Sequence, residues 1–147
     1  MKDYGSVLAE WIIQYLQHRD ILLQSIQEVK REGDTIKVIY KDKKLTLFLL
    51  PVIDSVHTVV EKLDGISGEE IPAIVVLNIK SNIDSVIKNW QRLVGYKKLT
   101  MYFVNPEAKE TDRKWILQPY THNQICDEES LELGLRSLFQ SVEEVAL

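Results

Sequence analysis

The sequence predicts one α/β domain of mixed α+β type. Its architecture is a three-layer sandwich with a mixed central sheet of four to five strands flanked by helices. Three observations carry this. Residues 36–50 read as a β-hairpin, 71–79 and 99–104 read as apolar strands separated by a helical stretch, and stripes of helical period precede and follow them.

In chain order, an amphipathic helix is predicted from Gly5 to Arg31. Val7, Leu8, Trp11, Ile12, Tyr15, Leu16, Leu22, Leu23, Ile26 and Val29 recur at steps of three, four and seven. His18-Arg19-Asp20 interrupts that stripe, which implies a kink or a second helix with Asp20 as N-cap. Gly33 is the expected stop.

Ile36, Val38 and Tyr40 alternate as a half-buried strand, and Lys41-Asp42-Lys43-Lys44 is the turn. Leu45–Leu50 is nearly all apolar, as expected of a central strand covered on both faces, and Pro51 ends its ladder. A short helix follows, capped by Asp54 or Ser55. The strand Ile71–Ile79, the helix Asn82–Val94 and the strand Leu99–Val104 form a β-α-β unit. Asn105-Pro106 opens a charged loop from Glu107 to Lys114. Trp115–Gln118 reads as a short edge strand with a partly exposed tryptophan, and Ser130 starts the last helix. Trp11 and Trp90 lie on apolar helical stripes and read as core. No repeat or linker divides the chain, so residues 1–147 are expected to be one globular domain.

Hydrophobic residues make up 45% and charged residues 27%, ordinary values for a water-soluble domain. No apolar run approaches bilayer length, so no membrane partner is expected. Met1–Gly5 has no signal-peptide pattern, and the lone Cys126 excludes a disulfide framework and a multi-cysteine zinc site. A cytoplasmic location is the expectation. The net charge of −4 is unevenly spread: residues 79–118 hold eight basic against four acidic residues, whereas 119–147 hold one against six. A modest basic face in the former segment would suit nucleic acid, and a solvated mixed surface is the alternative.

The β-α-β unit carries one further pattern. The apolar strand ends in Asn78-Ile79-Lys80, after a helix and a hairpin and before another helix and strand. Over residues 5–105 this order resembles the core of the PD-(D/E)xK, or restriction-endonuclease-like, nuclease superfamily. The resemblance implies a magnesium site built on two acids, with a lysine positioning the attacking water. Hard oxygen ligands for Mg²⁺ and a cation near the phosphorane-like charge fit that chemistry. It assigns catalytic positions to Asp54, Asn78 and Lys80, with metal ligation by Asp54 and Asn78, while Glu10 on the first helix is a further candidate. Residues i and i+2 of a strand share a face, so Asn78 and Lys80 are expected to point the same way. Asn78 stands where an acid belongs, which implies a catalytically degenerate copy. Gln91 and Tyr96 loosely resemble a glutamine and tyrosine of RecB-like members and are candidate binding residues. Each position also has an ordinary reading: Asn78 as a turn residue, Lys80 as a solvated strand end, Asp54 as a helix cap.

Pro119–Asn123 gathers hydrogen-bonding and aromatic groups in an expected loop, making Tyr120 and His122 candidate binding residues. His122 and Cys126 are four apart, the spacing of one helical face and of a conceivable Cys/His pair. The alternative is that Tyr120 and His122 tie the loop down while Cys126 is buried. There is no Walker loop, GxGxxG, HExxH or GxSxG motif.

The expected function is a nuclease-superfamily-like domain, catalytically degenerate, acting by binding or assembly. The alternatives are a non-catalytic scaffold, with a protein partner or self-association as a homodimer, and an active Mg-dependent nuclease. No cofactor follows from the residues alone. Mg²⁺ is implied only for the nuclease reading.

Overall fold

The computed structural model describes residues 3–108 and 113–147. Helix α1 spans Tyr4–Arg19. The strands β1 (Ile26–Glu32), β2 (Thr35–Tyr40) and β3 (Lys44–Leu49) follow as an antiparallel meander. Helix α2 (Val56–Asp64) leads to β4 (Glu70–Leu77), and α3 (Lys80–Lys88) and α4 (Trp90–Val94) lead to β5 (Thr100–Val104). Strand β6 (Lys114–Leu117), α5 (Pro119–Ile125), a 3-10 turn (Glu128–Ser130) and α6 (Leu131–Gln140) complete the order. The six strands form one mixed sheet in chain order, with β4 parallel to both β3 and β5 and every other pairing antiparallel.

The sheet therefore has six strands rather than four or five. The long helix expected to reach Arg31 stops at Arg19, and its second half is strand β1. The physical cause lies between them. The Asp20 carboxylate accepts from the Ser25 hydroxyl, from Ser25 N–H at 3.0 Å and from Ile26 N–H at 2.8 Å, folding the chain back on itself. Gln24 takes a left-handed φ of 50° to complete the reversal, a conformation that disfavours helix continuation. Asp20 thus closes a turn instead of capping a second helix. Ile26 and Val29 pack beneath α1, while Leu22 and Leu23 of the supposed stripe are exposed. Gly33 ends no helix: it sits at φ 59° in the two-residue loop between Glu32 and Thr35, where a tight hairpin requires glycine.

Strand β3 is buried on both faces, as its sequence implies. Alternate residues of the central strands feed two cores. On one face Ile74, Val76, Met101 and Phe103 meet α2, α3, α4 and α6. On the other, Ala73, Val75, Leu77 and Val104 meet Leu8, Ile12 and Leu16 of α1. Each of these α1 side chains is almost fully buried and contributes about 1.5–3 kcal/mol of hydrophobic stabilisation. Trp90 is core as expected. Trp11 is half-buried, stacked on Tyr15 with ring centroids 5.1 Å apart. No described helix is long and apolar enough to cross a membrane.

The Asp20 turn makes an acid-stability prediction. Its hydrogen bonds, first those from Ser25, hold the carboxyl below its ordinary value of 3.8. A lowered folded value means that the stabilisation is present above that ordinary value and is lost as pH falls through the folded one. Asp20→Asn is expected to lower stability at neutral pH and to flatten the acid limb of a stability–pH curve. Denaturant unfolding across pH 2–7 measures both, at about the range where carboxylates titrate.

Candidate functional site

The end of β4 differs from the expectation for Asn78-x-Lys80. The strand stops at Leu77, Asn78 lies just beyond it, and Lys80 is the first residue of α3. The two side chains therefore do not share a strand face. The helix expected from Asn82 begins at Lys80 and breaks at Asn89 into α3 and α4.

Asn78 has no exposed surface. Its Nδ2 donates to the carbonyls of Val142 (2.9 Å), Phe139 (3.2 Å) and Glu143 (3.4 Å). Its Oδ1 accepts from Trp115 Nε1 at 2.8 Å. An indole only donates and a carbonyl only accepts, so the partners fix the amide orientation. The backbone of Asn78 is engaged as well: its N–H donates to Val104 O at 2.8 Å, and its carbonyl accepts from Val145 N at 3.0 Å. Trp115 is buried, contrary to expectation, and stacks on its cross-strand neighbour Phe103 at 4.1 Å and 9°.

Asn82 repeats the device on the β3 side. Its Nδ2 donates to Pro51 O and Leu77 O, both at 2.8 Å, and its Oδ1 accepts from Ile53 N–H at 2.8 Å. Asn82, rather than Asn78, is the side chain that meets the segment leading to Asp54. Asp54 is exposed in that loop, and Ser55 caps α2 by accepting from His57 N–H at 3.1 Å. Lys80 is exposed, and its backbone N–H donates to Glu144 Oε2 at 2.9 Å. That carboxylate caps α3, because Ile79 at the N-cap position has no side chain able to do so. Glu10 is exposed on α1, the helix that covers the opposite face of the sheet. The proposed catalytic set is thus distributed over a buried amide, a helix start, an exposed loop and a second face. Among the described residues, no three His, Cys, Asp or Glu side chains are grouped to hold a metal ion.

The remaining candidates divide similarly. Tyr96 donates to Asp64 Oδ1 at 2.7 Å, and burial together with that bond pushes its phenol up to about 12. It ties the exit of α4 to the end of α2. Gln91 is exposed on α4. Pro119–Asn123 is helical rather than a loop, with Pro119 supplying a preorganised first turn. Tyr120 lies 5.7 Å from Lys97 Nζ, measured to its ring centroid. His122 meets Trp90 edge-on at 5.7 Å, and its Nε2 is 3.2 Å from Cys126 Sγ. Burial lowers the His122 pKa, which favours the neutral imidazole. Trp90 Nε1 donates to Asn123 Oδ1 at 3.0 Å, so α5 is fastened to α4 beside this pair. No described side chain orients the second ring nitrogen of His122, which a Cys/His nucleophile requires.

No protein-family model, curated protein or solved structure matches this chain.

Two open clefts accompany these residues. One, of 820 Å³, lies between α3 and α6. There Lys80 and Lys88 stand near Arg136, whose guanidinium bonds Asp84 at 2.9 Å. The other, of 780 Å³, lies under the C-terminal end of α1. Its residues come from five separate stretches of the chain, which only strand order brings together.

The wiring of Asn78 predicts that repairing the acid would damage the fold. Asn78→Ala leaves the Trp115 indole N–H and the Val142 carbonyl without their partner in the interior and is expected to cost about 3 kcal/mol. Asn78→Asp places a carboxylate against that carbonyl with no N–H to offer it, at a cost of about 3–5 kcal/mol. Urea unfolding of the two variants measures this, and a stable Asn78→Asp protein would contradict it.

Proposed function

We propose that this chain is a nuclease-superfamily-like domain with a degenerate catalytic position, acting by binding or assembly rather than by phosphodiester hydrolysis. The order of helix, antiparallel strands and parallel crossover supports the restriction-endonuclease-like reading of the fold. The single observation that carries the functional reading is the engagement of Asn78. The position assigned to a metal acid is a neutral amide with no solvent access, bonded to four protein groups. Magnesium needs oxygen ligands that reach it together with its own waters, and this amide offers no such approach.

The partner reading rests on the surface of α3. Lys80 and Lys88 line its open groove, and nucleic acid is the partner that exposed cations favour first. A protein partner, including a second copy, is the alternative.

The test is direct. Purified protein with Mg²⁺ or Mn²⁺ is expected to leave duplex, single-stranded and branched DNA uncut. Metal-dependent cleavage that disappears in Lys80→Ala would overturn the reading. Fluorescence anisotropy with duplex DNA is expected to show binding that weakens steeply with salt and is reduced in a Lys80→Glu/Lys88→Glu variant. Self-association in light scattering, without DNA binding, would favour the scaffold alternative.

A further inference from the structure

The cleft under α1 lies at the end of the sheet opposite Asn78, where β3, β4 and β5 begin. Leu16, Leu45 and Ile71 give it an apolar floor. Arg19, Lys41, Lys43 and Lys98 line it, together with Asp20 and Asp42. The Asp20 carboxylate is already occupied by Ser25 and Ile26. Four cations share the cleft with two carboxylates, a local surplus of two positive charges in a molecule whose net charge is −4. Its volume of 780 Å³ lies within the range of small-molecule sites, roughly 300–1,000 Å³.

A second observation is independent of charge. Tyr102 of β5 lines the same cleft and is only 7% exposed. Its ring meets Tyr15 edge-on at 6.1 Å, yet no described residue hydrogen-bonds its hydroxyl. Burial pushes this phenol up to about 12, so at neutral pH it is a proton donor without a protein acceptor. Every buried polar side-chain atom among the described residues is bonded, so this unbonded hydroxyl reaches the cleft itself, where it is placed to meet whatever enters. Arg19 is held in position by the Tyr15 hydroxyl at 3.1 Å, and Lys43 by the Tyr40 ring, 4.8 Å from its centroid. All four cations are exposed, and these two are steadied by aromatic neighbours.

We propose that this cleft binds a phosphate monoester, the cations neutralising the phosphate and the Tyr102 hydroxyl donating to the ligand. A dianionic group matches several converging cations better than a singly charged carboxylate does, and the Arg19 guanidinium suits phosphate oxygens. Leu23 forms part of the cleft lining, next to Ile21 and Leu22, and the three are 76%, 59% and 94% exposed respectively. The ester can thus be a soluble metabolite or the headgroup of a phosphatidic acid reached from a membrane surface. The second source needs no spanning helix.

Calorimetry of the full chain with inorganic phosphate, adenosine 5′-monophosphate and adenosine tests the soluble source. Flotation with phosphatidylcholine vesicles, with and without phosphatidic acid, tests the lipid source. Binding of either phosphate-bearing probe is expected, with the phosphate-free counterpart weaker by about tenfold or more. A Lys43→Gln/Lys98→Gln variant is expected to lose about tenfold in affinity. Tyr102→Phe should weaken binding several-fold while leaving the melting temperature unchanged, because its hydroxyl has no protein partner to lose. Leu22→Asp should abolish vesicle binding alone if the source is lipid. Failure of every phosphate-bearing probe to bind above its counterpart would overturn the proposal. So would binding indifferent to both the lysine variant and Tyr102→Phe. These outcomes are separate from those of the DNA experiments, which probe Lys80 and Lys88.

Discussion

One buried amide holds the two ends of this structure together. Asn78 sits where β4 leaves the sheet, and its side chain offers two donors to one part of the chain and an acceptor to another. No other side chain of that length does both. A carboxylate lacks the donors and an aliphatic residue lacks everything. Through Trp115 the amide fixes the edge strand β6, and through the stacked Phe103 that position is passed to the core. Through the carbonyls of residues 139, 142 and 143 it fixes the exit of α6. Asn105 reinforces the same segment by donating to Glu143 O at 2.9 Å, and Glu144 then caps α3. Four elements depend on a network whose buried polar side-chain atoms are all satisfied among the described residues.

The two faces of the sheet are covered unequally, and this sets the chemistry of the surface. One face carries the side chains of α2, α3, α4 and α6. The other is covered by α1, a helix of 16 residues spanning about 24 Å. Because α1 stops at Arg19, the starts of β3, β4 and β5 are left beneath an open cleft on that side. The last turn of α1 carries His18 and Arg19, which also favour the negative end of its dipole. The early stop that the Asp20 turn imposes is therefore what creates both the extra strand and the cleft.

Much of the interior was legible in the sequence, and the failures have specific causes. The nearly all-apolar run Leu45–Leu49, polar only at Thr46, reads as a strand covered on both faces, and it is one. Residues 22, 23, 26 and 29 mimic helical spacing because the edge strand β1 is half-buried only at Ile26 and Val29, and two exposed leucines of the preceding turn fall in step with them. The strand's charged residues Glu28, Lys30, Arg31 and Glu32 suit an unpaired edge as well as they suit a helix surface. The meaning of Asn78 was not legible at all. A polar residue after an apolar strand reads as a solvent-facing turn, and only partners 61 to 65 residues away make it interior. Lys80 was misplaced for a related reason, since α3 draws its cap from Glu144 instead of from a local Ser or Asp. The cleft residues were individually visible, but their convergence depends on sheet order, which local periodicity does not carry.

The distance between Asn78 and its acceptors has a consequence during synthesis. The amide emerges from the ribosome 61 to 65 residues ahead of the carbonyls it serves. At about 5–20 residues per second, that is a delay of roughly 3 to 13 seconds. Throughout this interval the Asn78 side-chain N–H groups lack their carbonyl acceptors, although the Trp115 indole, 37 residues on, can already reach the amide oxygen. The apolar sheet face that α6 later covers stays open to water. The nascent chain therefore passes through a stage with its sheet half dressed, and the closing segment acts as a latch that engages only after the sheet has been made.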